Sequence, residues 1–279
     1  MAGKYPHFRF TSIPANEKFS HGKKLAITVG VKAAKHDHLL FIDADCYPAD
    51  KDWINSISGR FSKQKSIVLG YGRYEKRRGL LNALIRYETF FTGMQYLSFA
   101  IKGYPYMGVG RNLAYTKGLF FENKGFATHY HLPTGDDDLF INEVANAENT
   151  IVEYNRNSQT VSLPERRFVD WFTQKQRHLK SGSHYNKASK LRIATELISR
   201  ILMYASLLAL CITSAWIWIV LGWISLVLLV KAVVVKLGMN SLNEKQLLVP
   251  SLIFDPVMPL LLALIRFSGV FVLNGRTWK

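Results

Sequence analysis

Two carboxylates stand two residues apart at the end of an apolar run, in Asp43-Ala44-Asp45. The run before them, His38-Leu39-Leu40-Phe41-Ile42, has the length and composition of a buried parallel strand. Carboxylates at i and i+2 on the C-terminal end of such a strand both reach the cleft at the sheet's edge, where α/β proteins bind ligands. The pair suits a hard divalent cation holding a diphosphate, because Mg2+ favours carboxylate and phosphate oxygens. D-x-D alone recurs by chance in surface turns; the apolar strand before it, the small residue and Pro48 after it make this instance more specific.

A second acidic group, Gly135-Asp136-Asp137-Asp138-Leu139, carries three consecutive acids. They repel one another and are unfavourable without a cation or a task. One such task is that of a general base, a carboxylate taking the proton of an attacking hydroxyl. Acids at a solvated helix N-terminus, favoured by the helix dipole, explain the same residues equally well. Both readings hold together if a helix begins at Asp138. A third group, Gln174, Arg177 and His178, falls at i, i+3 and i+4, one face of a helix. Amide, guanidinium and imidazole make that face rich in donors for an anion or a sugar. By itself it reads as an exposed basic helix beside a membrane. His129 and His131 have no matching third ligand and are expected to pack beside the acidic loop.

These residues need a framework. Gly22-Lys23-Lys24 opens a stretch over 25–34 with helical spacing. Asp50-Lys51-Asp52-Trp53-Ile54 reads as a capped helix start, and Ser66–Gly72 as one strand. Residues 79–101 form a long aromatic-rich amphipathic stretch, and Pro105–Asn112 is a glycine-punctuated segment before Leu113-Ala114-Tyr115. Alternating helix and strand signals indicate an α/β architecture.

The tail differs in kind. Residues 1–195 hold 29 of the 36 Lys and Arg and 17 of the 20 Asp and Glu. Residues 201–230 carry no charge, flanked by Arg200 and Lys231. That run is long for one upright span of about 20 residues and short for two. With its apolar neighbours it predicts a tight helical hairpin whose flanking charges snorkel to the interface. A further apolar block, 247–273, contains Asp255, Pro256, Pro259 and Arg266, and is open to three readings: broken span, re-entrant segment or interfacial helix. The net charge of +16 calls for an anionic partner. No nucleic-acid recognition motif accompanies it, so an anionic leaflet or a nucleotide diphosphate fits better, while a solvated basic surface explains many of these lysines. Cys46 and Cys211 are far apart and form neither a disulfide framework nor a metal spacing. Met1–Ser20 is polar and does not read as a signal peptide.

In order and spacing these groups resemble the processive-type family 2 glycosyltransferases: D-x-D, an acidic pair about 90 residues later, Q-x-x-R about 40 further on, then membrane helices. Gly22-Lys23-Lys24-Leu25-Ala26 is similar to the family's G-K-x-x-A stretch. Phe41–Cys46 with Pro48 and Trp53 is similar to its DADC-x-P…W signature, and Gly108–Ala114 to its acceptor-side segment. The resemblance covers roughly residues 20–180. It implies a GT-A-like domain over 1–190, with a mixed central sheet flanked by helices, followed by a membrane region over 191–279 with two or three hydrophobic segments. It also implies a nucleotide-diphosphate sugar donor, a divalent metal (Mg2+ or Mn2+), inversion at the anomeric carbon, and a glycan or lipid-linked acceptor. On this resemblance Asp45 and Asp43 hold the metal and donor diphosphate, and Asp137, paired with Asp136, is the base. Lys23, Gln174, Arg177 and His178 line the donor end; Gly108, Gly110, Arg111 and Asn112 approach the acceptor. His178 stands where the family usually has Trp. The resemblance further places the protein at a membrane, expected to be a bacterial inner membrane with a cytoplasmic catalytic domain. The family's first, base-binding βαβ portion is not recognisable ahead of His38, so the expectation is an N-terminally truncated form.

Two rival readings remain at this level. A haloacid-dehalogenase-type phosphatase also places D-x-D after an apolar strand, but it wants Thr or Val where Tyr47 stands. A degenerate transferase-like membrane subunit without activity accounts for the unrecognised base-binding portion.

Overall fold

The computed structural model describes residues 7–10, 13, 22–213 and 216–271. The base-binding portion expected to be missing concerns the segment ahead of His38, where residues 1–6, 11–12 and 14–21 lie outside the described residues. Helix α1 (Gly22–Ala33) leads into β1 (His38–Phe41) and β2 (Cys46–Pro48), followed by α2 (Trp53–Ser58), β3 (Ile67–Gly70), β4 (Gly72–Tyr74) and α3 (Leu80–Ile101). Then come β5 (Leu113–Thr116), α4 (Lys117–Glu122), α5 (Asp138–Val144), β6 (Thr150–Glu153), β7 (Thr160–Ser162) and α6 (Phe168–Gly182). Three long helices close the chain: α7 (Lys187–Thr213), α8 (Ile217–Ser241) and α9 (Leu248–Phe271).

The strands form two mixed sheets, ordered β1-β5-β3-β6 and β2-β7-β4. Strand β1 corrects an expectation. It runs antiparallel to β5, with Leu39 opposite Tyr115, and is the edge of its sheet among the described residues. Its apolar run arises from cover on both faces. Leu39 and Phe41 pack on the main core, while Leu40 packs on a second cluster of Trp53, Ile57, Val68 and Ala114. Alternate side chains of a strand point to opposite faces, so a strand covered on both sides is apolar throughout, whatever its direction. The single strand expected over Ser66–Gly72 is likewise divided. Strands β3 and β4 belong to different sheets, and the fully buried Tyr71 turns the chain between them.

The α2 start lacks its expected side-chain cap, although the Asp50 carboxylate accepts from Asp52 N at 2.9 Å. The acidic loop behaves as read: Asp137 is the N-cap of α5, its side chain accepting from Asp138 N.

Helix α3 is the platform on which the C-terminal helices sit. Gln95 donates to Glu196 of α7, Arg200 of α7 lies over the Phe91 ring, and Phe90 and Met94 pack at Gly238 of α8. Tyr87 donates to Asp255 of α9 at 3.0 Å. The buried pair Arg86–Glu244, 2.5 Å apart, ties α3 to the α8–α9 link, and Tyr71 also donates to Glu244. Asp255 of α9 gathers Tyr87, Tyr204 and the two cations Arg200 of α7 and Lys231 of α8, so one carboxylate ties all three C-terminal helices together. All three helices are long and apolar enough to cross a membrane. The last is one continuous helix through Pro256 and Pro259. Each proline removes one i→i−4 bond and leaves the flanking turns intact.

Candidate active site

The D-x-D segment leaves β1 with Asp43, Asp45 and Cys46 offering ligand atoms within 4.8 Å of one another. The Cys46 thiol also lies 2.8 Å from Ser162 Oγ on β7 and 3.4 Å from Asp45 Oδ1. Cys46 has no metal spacing with Cys211 in the sequence, but the structure gathers its thiol with the neighbouring carboxylates of Asp43 and Asp45. Two carboxylates this close suit a hard divalent cation, to which the soft Cys46 sulfur adds nothing.

Lys23, exposed at the start of α1, joins the two acidic groups. Its Nζ lies 3.3 Å from Asp43 Oδ1 and 2.9 Å from Asp136 Oδ2. Burial pulls the ammonium down, but the carboxylates of Asp136, Asp43 and Asp137 outweigh it and hold the group above its ordinary value. Its neighbour Lys24 does a different job. Buried to 1%, it donates to the carbonyls of His129 (2.6 Å) and Leu132 (3.1 Å), pinning the loop that leads to the acids. Burial lowers that amine to about 8, against the raising charges of Asp136 and Asp138. His129 packs beside this loop as expected, buried and touching Phe126.

Asp137 is half-buried at the mouth of α5. Its Oδ2 accepts from Gly110 N at 2.7 Å and its Oδ1 from Asp138 N at 2.8 Å. Burial, then the charges of Asp136 and Asp138, push its carboxyl up to about 7, against Lys23 and the Gly110 amide. A Cβ on Gly110 would lie 3.3 Å from Asp137 Oδ2 and 3.4 Å from Asp43 Oδ1. The Gly110 backbone therefore runs between the strand-end carboxylates and the helix-mouth carboxylates, bringing both into one cleft.

Asp138 faces the other way. It is 8% exposed and accepts from Ser181 Oγ at 2.5 Å, Tyr185 OH at 2.9 Å and Leu139 N at 2.8 Å. Desolvation raises its carboxyl above the ordinary range despite these donors. Through Ser181 at the end of α6 and Tyr185 before α7, this acid fastens the acidic loop to the first C-terminal helix. No local signal distinguished Asp138 from its two neighbours; its partners lie more than 40 residues away.

The remaining candidates divide. On α6, Gln174 leaves its Oε1 buried without a hydrogen-bond partner. His178 is exposed on α6; desolvation, then the positive charges of Lys175, Arg111, Arg177 and Lys23, hold its imidazole below its ordinary value. Arg177 is half-buried on the same helix. Arg111 lies 4.6 Å over the Tyr74 ring, with Nη1 buried and unpartnered. Asn112 is corrected. It is 1% exposed, donates to the carbonyls of Tyr71 and Ser158 and accepts from Trp53 Nε1, so its amide is consumed in the core and does not face a ligand. Gly108 is likewise enclosed, with Ile141 and Leu113 atoms 3.0 Å from where its Cβ would be.

Gly135 sets the acidic loop's shape. Its φ is +91°, and a Cβ would lie 2.2 Å from Leu139 Cδ1. Gly135→Ala is expected to cost about 1–3 kcal/mol and to lower Tm together with any activity of the cleft. Gly182→Ala, where a Cβ meets nothing within 4 Å, is the control that leaves Tm in place. An unchanged Tm in Gly135→Ala would show that the loop tolerates a different path.

No protein-family model and no curated protein matches the sequence. Among solved structures, the chain is similar to the mannosyltransferase PcManGT from Pyrobaculum calidifontis, in complex with GDP-Man and Mn2+. The TM-score is 0.55 at 16% identity, over 98% of this chain and 73% of that one. The likeness shows the fold alone: the mixed sheets, flanking helices and C-terminal helices of this chain superimpose on a glycosyltransferase.

Proposed function

We propose that the chain is a metal-dependent glycosyltransferase of the GT-A type, related to the processive-type family 2 enzymes. It moves a sugar from a nucleotide-diphosphate donor to an acceptor hydroxyl with inversion, at a membrane. The observation that carries this reading is the Gly110 backbone lying between Asp43 and Asp137. A cation-binding pair and a carboxylate with an elevated pKa thereby share one cleft, as a single displacement requires. The solved neighbour, a mannosyltransferase in complex with GDP-Man and Mn2+, supports the donor class and the metal.

Asp45 and Asp43 hold the divalent ion, Mg2+ or Mn2+, which when bound supplies neutralising charge for a departing diphosphate. Arg177 adds positive charge at the leaving-group end, and Gln174 offers an unpaired polar atom beside it. Neutral His178 orients the donor without bringing further charge. Lys23 bridges Asp43 and Asp136, tying the strand-end carboxylates to the acidic loop. Asp137, steadied by the Gly110 amide, takes the acceptor's proton as its oxygen attacks the anomeric carbon from the face opposite the diphosphate. The acceptor, a glycan or a lipid-linked hydroxyl, enters along Gly110 and Arg111. Residues 1–190 act as the catalytic domain, on the cytoplasmic side of a bacterial inner membrane, and 191–279 as its anchor.

Release assays test the reading. Nucleoside diphosphate released from a sugar nucleotide, dependent on Mn2+ or Mg2+, is the expected product; phosphate released from a phosphomonoester instead would mark a phosphatase. The rate should fall as pH drops through about 7, because protonation of Asp137 removes the base. A rate flat from pH 8 to pH 5 would exclude this carboxylate from proton transfer.

A further inference from the structure

Lysine is almost never fully enclosed unless it is paired. Lys24 is 1% exposed, yet it forms no ion pair among the described residues. Its Nζ donates instead to two backbone carbonyls, His129 O at 2.6 Å and Leu132 O at 3.1 Å, with the Phe126 ring 6.0 Å away. Lys24 lies in the first turn of α1 beside Lys23, whose Nζ holds Asp136 at 2.9 Å. Successive side chains on a helix diverge by about 100°. The two lysines therefore take hold of the acidic loop at two places, Lys24 at its start and Lys23 at its end. In the G-K-x-x-A stretch Lys23 matches the fixed lysine, whereas Lys24 stands at a position the pattern leaves open.

The loop has little else to hold it. Leu132 N donates to His129 O at 3.1 Å, and Pro133 after it carries no N–H. Among the described residues no backbone hydrogen bond fixes residues 133–136. Gly135, at a φ of +91°, adds a residue with many accessible paths. Asp137 follows at once and accepts from the Gly110 amide at 2.7 Å. Where that carboxylate comes to rest is thus decided by where His129 and Leu132 are held, and Lys24 holds both. An ammonium does this well, because charge-assisted bonds are about twice as strong as neutral ones. Burial lowers the amine to about 8, while Asp136 and Asp138, facing it from the loop and α5, oppose that shift. Lys23 stands beside it on α1, held above its ordinary value. The His129 imidazole, with Glu143 beyond it, is held below its ordinary value by burial and by the Lys24 charge.

We propose that Lys24 is a positioning residue: its ammonium holds the His129 and Leu132 carbonyls, and through them delivers Asp137 to the acceptor hydroxyl. The proposal rests on Asp137 being the base. Turnover then needs an ionised base and a charged anchor together. Asp137 ionises as pH rises through about 7, and Lys24 loses its charge as pH rises through about 8. The rate passes through a narrow maximum between the two, a bell-shaped dependence. Of the other displaced groups around the cleft, the Cys46 thiol is pushed up to about 11, and Tyr96 and Tyr115 are raised above their ordinary value. An alkaline limb near 8 is therefore that of Lys24.

Two readouts on the full chain test it. Hydrogen exchange of the stretch 127–137, corrected for base catalysis, should lose about tenfold in protection between pH 7 and pH 9 in the parent. In Lys24→Met, similar in length and uncharged, that protection is already lost at pH 7; in Lys24→Arg, charged throughout, it persists to pH 9. Protection that ignores both pH and Lys24→Met overturns the anchor. Nucleoside diphosphate release is followed with Mg2+ from GDP-mannose, or from whichever sugar nucleotide of a panel the parent turns over. Lys24→Met should lower kcat by about 10²-fold, the cost of misplacing a group by about 1 Å, with the donor KM near the parent's. Lys24→Arg should restore the rate and move the alkaline limb beyond pH 9. A limb that stays in Lys24→Arg, or a parental rate in Lys24→Met, overturns the role of Lys24 alone. Should Lys24→Arg lower Tm, the parent's pH dependence and Lys24→Met decide. No release by the parent from any donor overturns the transferase reading, and the positioning role with it, whatever the exchange reports.

Discussion

Asp137→Asn should reduce sugar transfer by about 10²- to 10⁴-fold, the range in which a positioned general base acts, while binding of the donor persists. The substitution keeps the shape of the side chain but only one of the two oxygens that accept from the Gly110 and Asp138 amides. It removes the ability to take a proton together with one accepted hydrogen bond. Stability adds an independent signature. In the folded protein the carboxyl is pushed up to about 7 by burial and by Asp136 and Asp138; in the unfolded chain it titrates near its ordinary value. Between those two values the native state binds more protons than the unfolded state, so stability falls as pH rises through the window and stays lower above it. Asp137→Asn ends that loss, so its Tm should fall less than the parent's between pH 5 and pH 8. Retained turnover would sink the assignment of the base. A collapse of Tm would show that the residue is structural.

Asp45→Asn should abolish metal-dependent binding of a nucleoside diphosphate, followed by calorimetry with Mn2+ present and then chelated. Partners that merely orient a metal ligand are worth about 10- to 100-fold in affinity, so removal of a direct ligand should exceed that. Asp43→Asn perturbs more than the metal, since Lys23 loses one of its two carboxylates and turns wholly to Asp136. Binding that ignores both the substitution and the chelator would remove the cation from the cleft and favour a non-catalytic membrane subunit.

The ingredients of the site were legible because each is a local pattern. An apolar run ending in D-x-D, three acids ahead of a helix, and a donor face at i, i+3 and i+4 are written in neighbouring residues. Boundaries followed for the same reason: α3 occupies nearly the whole stretch expected over 79–101, and α5 begins at the residue expected for it. The errors share a cause too. The direction of β1, the division of Ser66–Gly72 between two sheets, and the fate of Asn112 all depend on partners elsewhere in the chain. Asn112 stood in a segment whose local form resembled a ligand-facing loop. Its amide was spoken for by Trp53, Tyr71 and Ser158, between 41 and 59 residues away.

The opening pair, Asp43 and Asp45, marks the division. Sequence alone determined that two carboxylates end an apolar strand and that charge-poor helices follow, since composition and periodicity are properties of short windows. Only the tertiary structure decided that Gly110 passes between Asp43 and Asp137, that Lys23 bridges the two acidic groups, and that Asp138 turns away to Ser181 and Tyr185. It also decided that α9, as apolar as its neighbours, lies along the domain. The physical reason is common to all of these. Hydrogen bonds and packing partners are assigned by proximity in space, and a buried acid, a backbone amide or an apolar face takes whichever partner the fold brings to it.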